Sequence, residues 1–148
     1  MVRKKFLAPC GIYCLVCGVF IAHRDDNLKF KEKLSTTLGL AAEKVACRGC
    51  RSELALELCR TCPVRNCVTQ KGFEGCAQCP EFPCLAVARL PRAIREVALR
   101  AIPAWREQGA EEHMRQEYRR HLCPQCGYPL FMGARRCRIC REPVDLRE

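Results

Sequence analysis

The clearest hydrophobic pattern in the chain is a stripe between positions 84 and about 108. Apolar residues recur there every three or four positions: Leu90, Ile94, Val97, Ala98, Ala101, Ile102 and Trp105. This spacing predicts a long α-helix with one buried face. Pro91 is acceptable in a first helical turn, whereas Pro103 is expected to kink or restart the helix because proline has no backbone N–H.

Two further segments have helical patterns. Residues 25–38 begin with acidic side chains and end before Gly39, a common C-terminal stop. They predict a short amphipathic helix with apolar positions at Leu28, Phe30, Leu34 and Leu38. Residues 110–121 are strongly polar and predict a solvated helix, on which His113 and His121 are expected to face water.

An apolar run over residues 6–22 follows a basic N-terminus and imitates a secretory signal or a membrane span. The run contains Pro9 and three cysteines, lacks a small-residue cleavage pattern before His23, and is short for a span. We therefore expect no membrane segment, and a cytoplasmic protein with reduced thiols.

Cysteine accounts for 15 of the 148 residues, far above the globular norm. Only 7% of the residues are aromatic, so a large apolar core is not expected, and metals or disulfides must add stability. An odd number of cysteines would leave one thiol outside a complete disulfide framework. Ligation of metal by thiolates is therefore the favoured interpretation.

The strongest motif is a pair of C-x2-C units near the C-terminus, Cys123 with Cys126 and Cys137 with Cys140. Two such turns can place four thiolates at about 2.3 Å from one ion, and closed coordination by four cysteines is typical of structural zinc. The spacing is similar to that of a short zinc ribbon. The sequence therefore predicts a C-terminal β zinc ribbon.

The eleven cysteines before this motif leave the grouping of ligands open. They make two complete four-ligand sites with three thiols spare, or three sites that lack one ligand, which His23 or water would supply. All eleven are expected to be metal ligands: Cys10, Cys14, Cys17, Cys47, Cys50, Cys59, Cys62, Cys67, Cys76, Cys79 and Cys84.

The first three of these cysteines have the C-x3-C-x2-C spacing that radical-SAM enzymes use for a [4Fe–4S] cluster. A chain of 148 residues can hardly supply the barrel that such enzymes need. An iron–sulfur cluster of another kind, or thiol redox chemistry at Cys10, Cys14 and Cys17, stays an alternative to zinc. Two copies of the pattern C-x2-C-P-x3-C, beginning at Cys59 and Cys76, further predict two equivalent half-sites.

Basic residues exceed acidic ones by 26 to 16, a formal charge of +10. Three zinc ions held by twelve thiolates would reduce this charge to about +4, so the charge alone is weak support for nucleic-acid binding. The last cysteines nevertheless lie among Arg135, Arg136 and Arg138, with Tyr128 and Phe131 available for stacking. These arginines could bind nucleic acid or a protein partner, and the sequence does not choose between them.

Motifs of nucleotide-binding and acyl-transfer enzymes are absent from the sequence, including GxxxxGK[ST], GxGxxG, HExxH and GxSxG. This absence favours a non-enzymatic role without deciding it.

The ordered cysteines resemble an uncharacterised cysteine-rich family of bacteria and archaea, the domain-of-unknown-function family 3795. The resemblance covers about residues 6–108 and includes Arg51 and Ser52 after Cys50, and Phe82 and Pro83 before Cys84. It implies a cysteine-ligated metal, with zinc as the expected ion, a ribbon appended in some members, and no assigned activity.

Together these patterns predict a small, metal-stabilised, mainly α-helical domain with irregular cysteine-rich loops over residues 1–108. A helix and the zinc ribbon are expected over residues 109–148. The expected function is that of a cytoplasmic zinc-binding interaction module with three or more structural zinc ions. An iron–sulfur or redox protein, and nucleic-acid binding through the ribbon, are the alternatives.

Overall fold

Helices joined by cysteine-rich loops make up the chain, and a computed structural model describes residues 3–146. Within this range the α-helices are α1 (Gly18–Arg24), α2 (Leu28–Leu38), α3 (Glu57–Arg60), α4 (Pro63–Lys71), α5 (Leu85–Ala88), α6 (Arg92–Gln108) and α7 (Ala110–Arg120). Short 3-10 helices occupy Lys4–Phe6, Cys14–Val16, Ala42–Lys44 and Cys76–Gln78. None of the helices in residues 3–146 combines the length and apolarity needed to cross a bilayer.

Helix α2 confirms the helix predicted over 25–38, but it begins three residues later, and Leu28, the first predicted apolar position, is 67% exposed. The side chain of Asn27 accepts a hydrogen bond of 3.0 Å from the backbone N–H of Phe30, which caps the first turn. Asp26 has a positive φ of 47° and cannot belong to the helix. Gly39, at φ 68°, ends α2 in the left-handed conformation that glycine adopts without strain.

The helix predicted over 84–108 is divided in two at Pro91, which has extended backbone and precedes α6. The restart predicted at Pro103 is wrong, because α6 continues through that residue. The alternative, a kink, stays a prediction. Pro103 and Leu99, four positions earlier, both lie on the exposed side, where water can solvate the carbonyl that loses its helical donor. The buried stripe is confirmed by Ala98, Ala101, Ile102 and Trp105.

The main core forms where this stripe meets the N-terminal loop, α4, α5 and α7. Its fully buried members include Leu7, Tyr13, Val64, Ile102 and Met114. Because Met114 belongs to α7, that helix shares the core of the cysteine-rich part. The division of the chain at residue 108 stays a prediction.

The predicted solvation of His113 and His121 is wrong, since these side chains are only 1% and 3% exposed. One face of α7 packs against α6 and the Cys14–Val16 turn. The polar groups on that face are satisfied within the protein: His113 Nε2 lies 2.8 Å from the carbonyl oxygen of Gly11, and His121 Nδ1 lies 2.7 Å from that of Glu117. A polar residue can be buried at little cost when it is paired in this way.

The predicted β zinc ribbon is also wrong, because no strand forms among residues 3–146. The C-terminal segment contains only isolated antiparallel bridges, which pair Leu122 with Pro129 and Arg136 with Pro143. Each bridge has a proline as one partner, and proline has no N–H to extend a ladder of hydrogen bonds. The segment therefore folds as two cysteine turns with a small apolar cluster of Cys123, Leu130, Ala134 and Cys137.

This C-terminal segment packs on the N-terminal half of the chain. The backbone N–H of Met132 donates a hydrogen bond of 2.6 Å to the carbonyl of Val16, in the turn between Cys14 and Cys17. The rings of Phe131 and Phe30 lie beside each other with centroids 4.7 Å apart.

Candidate metal centres

Four thiols meet at the C-terminus, those of Cys123, Cys126, Cys137 and Cys140. Their sulfur atoms all lie within 4.8 Å of one another. The Sγ–Sγ distance is 3.6 Å both between Cys123 and Cys140 and between Cys126 and Cys137. Four sulfurs at about 2.3 Å from one tetrahedral ion would be about 3.8 Å apart. The site can therefore hold one metal ion with little rearrangement.

Two tight turns position these thiols. The N–H of Gly127 donates to the carbonyl of Cys123 at 2.8 Å, and the N–H of Arg141 donates to that of Cys137 at 3.0 Å. Gly127 and Arg141 both have positive φ, 74° and 68°, so the second turn places an arginine where glycine is the usual residue.

The pKa values of two thiols in this site diverge. The backbone amides of Cys140 and Ile139 lower the pKa of the Cys137 thiol to about 6. The amide of Glu142 lowers the pKa of the Cys140 thiol, but burial and contacts with the other three thiols raise it to about 12. The cluster thus favours one thiolate and disfavours further ones. A bound cation would offset the repulsion between several thiolates.

The eleven N-terminal thiols form one connected network, in which each interacts electrostatically with at least one other. They are less closely gathered than the C-terminal four. Within residues 3–146, those four are the one set of three or more cysteine, histidine or acidic side chains whose donor atoms lie within 4.8 Å of one another.

One part of the network, the first thiol group, consists of Cys14, Cys17, Cys47, Cys50 and Cys59. The thiol of Cys14 interacts with Cys17, Cys50 and Cys47, and the thiol of Cys59 with Cys50, Cys47 and Cys17. The backbone N–H of Gly49 donates to the sulfur of Cys47 at 3.3 Å. The structure thus brings the C-x2-C pair at 14 and 17 to the pair at 47 and 50.

The second thiol group consists of Cys62, Cys67, Cys76, Cys79 and Cys84. The thiol of Cys76 interacts electrostatically with the other four. Lys71 places its Nζ 3.8 Å from the sulfur of Cys79 and 2.7 Å from a carboxylate oxygen of Glu81. A cation therefore already accompanies this group.

Cys10 interacts with both groups, and Cys62 of the second group also interacts directly with Cys50 and Cys59 of the first. The thiol of Cys10 interacts with Cys50 of the first group and with Cys62 and Cys76 of the second. The N–H of Cys76 donates to the carbonyl of Pro9 at 2.9 Å, which ties the two loops together. These interactions link Cys10 to thiols other than Cys14 and Cys17, the residues with which its sequence spacing associates it.

Burial governs the acidity of the network. It raises the pKa values of the Cys14, Cys59 and Cys76 thiols to about 12 and that of Cys50 to about 11. It also raises the pKa of Cys10. Thiolates in this interior need a compensating positive charge, and a metal ion is the usual source in a cysteine cluster.

The two C-x2-C-P-x3-C copies fold differently, contrary to the prediction of equivalent half-sites. Pro63 begins α4, so Cys67 lies inside that helix. In the second copy Pro83 keeps the preceding residue out of the helical region, and Cys84 precedes α5 instead.

His23, the predicted alternative ligand, is half-buried, and its Nδ1 is buried without a hydrogen-bond partner. It is not part of the four-thiol site. Its role as a ligand stays a prediction.

Two arginines, Arg51 and Arg106, hold the cysteine loops, a role that the sequence did not indicate. Arg51 donates through Nε to the carbonyl of Leu7 at 2.8 Å and also contacts the carbonyl of Glu74. Arg106 donates through Nε to the carbonyl of Ala77 at 2.9 Å and through a second nitrogen to that of Cys79. Their partners are backbone carbonyls far away in sequence. Every residue has such a carbonyl, so the sequence does not indicate which ones these arginines bind.

Residues 6–89 match the protein family of unknown function DUF3795. This match covers more than half of the 148 residues. The chain belongs to this family. All eleven cysteines of the N-terminal network lie inside the DUF3795 match. Helices α6 and α7 and the C-terminal four-cysteine site lie outside it. No curated protein and no solved structure matches this DUF3795 member.

Proposed function

We propose that this protein binds zinc at structural sites made of cysteine thiolates. The observation that carries the proposal is the 3.6 Å separation of both sulfur pairs in the C-terminal site, close to the edge of a tetrahedral four-cysteine zinc site. Four protein ligands leave no open position for substrate or water, so this ion stabilises the fold.

The proposal extends to the N-terminal network, where the first and second thiol groups each hold one further zinc ion. Each group has five cysteines, one more than a closed site needs, and Cys10 interacts with both groups. All fifteen cysteines are then ligands or immediate neighbours of ligands. Burial supports this proposal, because a buried thiol becomes a thiolate readily only beside a cation.

The biological role that fits such sites is an interaction module in which metals replace much of the apolar core. Binding free energy of structural zinc becomes folding free energy in domains of this kind. A cytoplasmic location, a bacterial or archaeal origin, and the division of the chain at residue 108 belong to the same proposal.

Metal analysis of anaerobically purified protein, together with its absorption spectrum, tests this function. We expect three or more equivalents of zinc and no visible absorption, because zinc is d¹⁰. A coloured protein containing iron would instead support the iron–sulfur alternative and contradict the proposal.

Three cysteine variants test the individual sites. Cys126→Ser should remove about one equivalent of zinc, because the C-terminal site has no spare cysteine. The double variants Cys14→Ser/Cys17→Ser and Cys79→Ser/Cys84→Ser should each remove about one equivalent as well, because each leaves only three cysteines in its group. Ile139→Ser is the matched control, because Ile139 lies between two ligands, is 60% exposed and has no donor atom. Full zinc content in Cys126→Ser would overturn the C-terminal assignment.

A further inference from the structure

A groove of about 310 Å³ lies between the first two helices and the C-terminal segment. We call it the aromatic groove, because the side chains of Phe30, Tyr118, Tyr128 and Phe131 line it. All four rings are half-buried, so they are held by packing and still present part of their surface. Phe30 and Phe131 support each other, with centroids 4.7 Å apart.

Arginines dominate the polar side chains of the groove. Arg24, Arg136 and Arg138 line it and are exposed, whereas Asp25 is the one acidic residue among its lining residues in the described part of the chain. Asp25 forms an ion pair of 2.8 Å with Arg24. The groove therefore carries an excess of positive charge.

Aromatic and basic groups also meet directly. The guanidinium of Arg138 lies over the ring of Tyr128, with its carbon 5.6 Å from the ring centroid. A planar cation on an aromatic face is a typical cation–π contact. Base stacking on such a ring and phosphate binding by the adjacent arginines use the same surface.

We propose that the aromatic groove binds single-stranded nucleic acid, with a base stacked at Tyr128 and the backbone phosphates at Arg24, Arg136 and Arg138. The bases of a single strand are unstacked and can insert between aromatic side chains, whereas those of a duplex are already stacked on each other. The arginines come from two distant segments of the chain, the end of α1 and the turn around Cys137, so phosphates can be bound from both. A free nucleotide needs its phosphates gathered at one point, and the sequence has no glycine-rich phosphate loop.

The structure also separates the three predicted arginines. Arg136 and Arg138 line the aromatic groove, whereas Arg135 lines a different cavity, beside α6. Arg135 is thus a matched control: it is an exposed arginine next to Arg136 with the same charge.

Fluorescence anisotropy with a labelled twelve-nucleotide single strand, in DNA and RNA forms and at about 50 mM salt, tests the proposal. Tyr128→Leu should weaken binding about 5- to 150-fold, the range for losing one base–aromatic stack. This variant keeps the backbone hydrogen bond of 2.9 Å from the N–H of Cys123 to the carbonyl of residue 128. Its zinc content should therefore be unchanged.

Charge variants test the phosphate contacts. Arg136→Ala should reduce the slope of log affinity against log salt by about 0.7, the value for one phosphate of a single strand. Arg135→Ala should leave affinity and slope at the wild-type values. Asp25→Asn should tighten binding about two- to fivefold, because it frees Arg24 and removes a repulsive charge. A tighter variant cannot be explained by damage to the fold.

Four results would overturn the proposal. The first two are that protein retaining its metal does not bind the strand, and that Tyr128→Leu binds it with wild-type affinity. The other two are that the protein binds a duplex more tightly than the single strand, and that it binds a mononucleotide as tightly as the single strand. Binding of polyglutamate as tight as that of the strand would assign the groove to an acidic protein instead. Metal content, measured for every sample, keeps a failure of this proposal distinct from a failure of the zinc sites.

Discussion

The Nε2–H of His113 donates a hydrogen bond of 2.8 Å to the carbonyl of Gly11, and so joins α7 to the loop between Cys10 and Cys14. The two residues are 102 positions apart, and the histidine is 1% exposed. A carbonyl oxygen can only accept, so the imidazole carries its proton on Nε2. The cysteine loop therefore depends on a helix outside the DUF3795 match.

Replacing His113 should destabilise the protein through this contact. His113→Leu leaves the carbonyl of Gly11 without its donor, which costs about 1–3 kcal/mol for a buried acceptor. Chemical denaturation of the metal-loaded protein measures the free energy of unfolding. Gln116→Leu, an exposed position on the same helix, is the control and should change it by less than about 0.5 kcal/mol. Equal effects of the two substitutions would show that the contact does not contribute.

Gly11 should tolerate no side chain. A Cβ atom there would lie 2.7 Å from the Cβ of Ala101, and its φ of 93° is strained for any other residue. We expect Gly11→Ala to cost about 2–4 kcal/mol, from overpacking and backbone strain together. Gly72→Ala separates these causes, because Gly72 also has a positive φ, 70°, but nothing lies within 4 Å of its added Cβ. If the clash matters, Gly11→Ala has the larger effect in thermal or chemical unfolding.

Glu117 should make stability depend on pH in acid. Burial raises the pKa of this carboxyl, but the hydrogen bonds and charge of Arg100 outweigh burial and hold the pKa below its usual value of 4.5. The folded protein therefore binds this proton less tightly than the unfolded chain, and the stabilisation is fully present above about pH 4.5. It is lost as the pH falls through the folded pKa.

Glu117→Gln tests this dependence. The difference in free energy of unfolding between wild type and variant should be constant from pH 7 to about pH 5 and shrink below about pH 4.5. Loss of metal in acid affects both proteins, so the difference isolates the carboxyl. A difference that stays constant down to pH 3.5 would contradict the role of Glu117.

Removal of metal should abolish most cooperative unfolding. Structural zinc contributes about 10–16 kcal/mol of binding free energy per site in small peptides, which exceeds the stability of many small domains. A strong chelator with a reductant should therefore eliminate the calorimetric unfolding peak, and added zinc should restore it. An unchanged peak after confirmed loss of metal would show that the apolar core suffices.

The local features of the fold could be predicted because neighbouring residues produce them. Gly39 ends α2 in a left-handed turn as predicted, and the apolar spacing of α6 appears as its buried stripe. The cap at Asn27 is equally local, although the acidic residues before it suggest an earlier start. The C-terminal thiols gather as their spacing indicates, since each C-x2-C turn needs only four residues. The prediction of a β ribbon was wrong because cysteine spacing does not show that Pro129 and Pro143 occupy the bridging positions.

Cysteine spacing and hydrophobic period thus predict the longer helices α2, α6 and α7 and the gathering of the four C-terminal thiols. They do not establish which distant thiols become neighbours. The sequence associates Cys10 with Cys14 and Cys17, whereas in the folded protein its thiol interacts electrostatically with Cys50, Cys62 and Cys76. Likewise the sequence predicts that His113 is solvated on a polar helix, whereas packing of α7 on α6 buries it against Gly11. Contacts of this kind depend on how whole elements pack together. Their free energy comes from burial and from the geometry of the hydrogen-bond partners, which residue spacing does not determine.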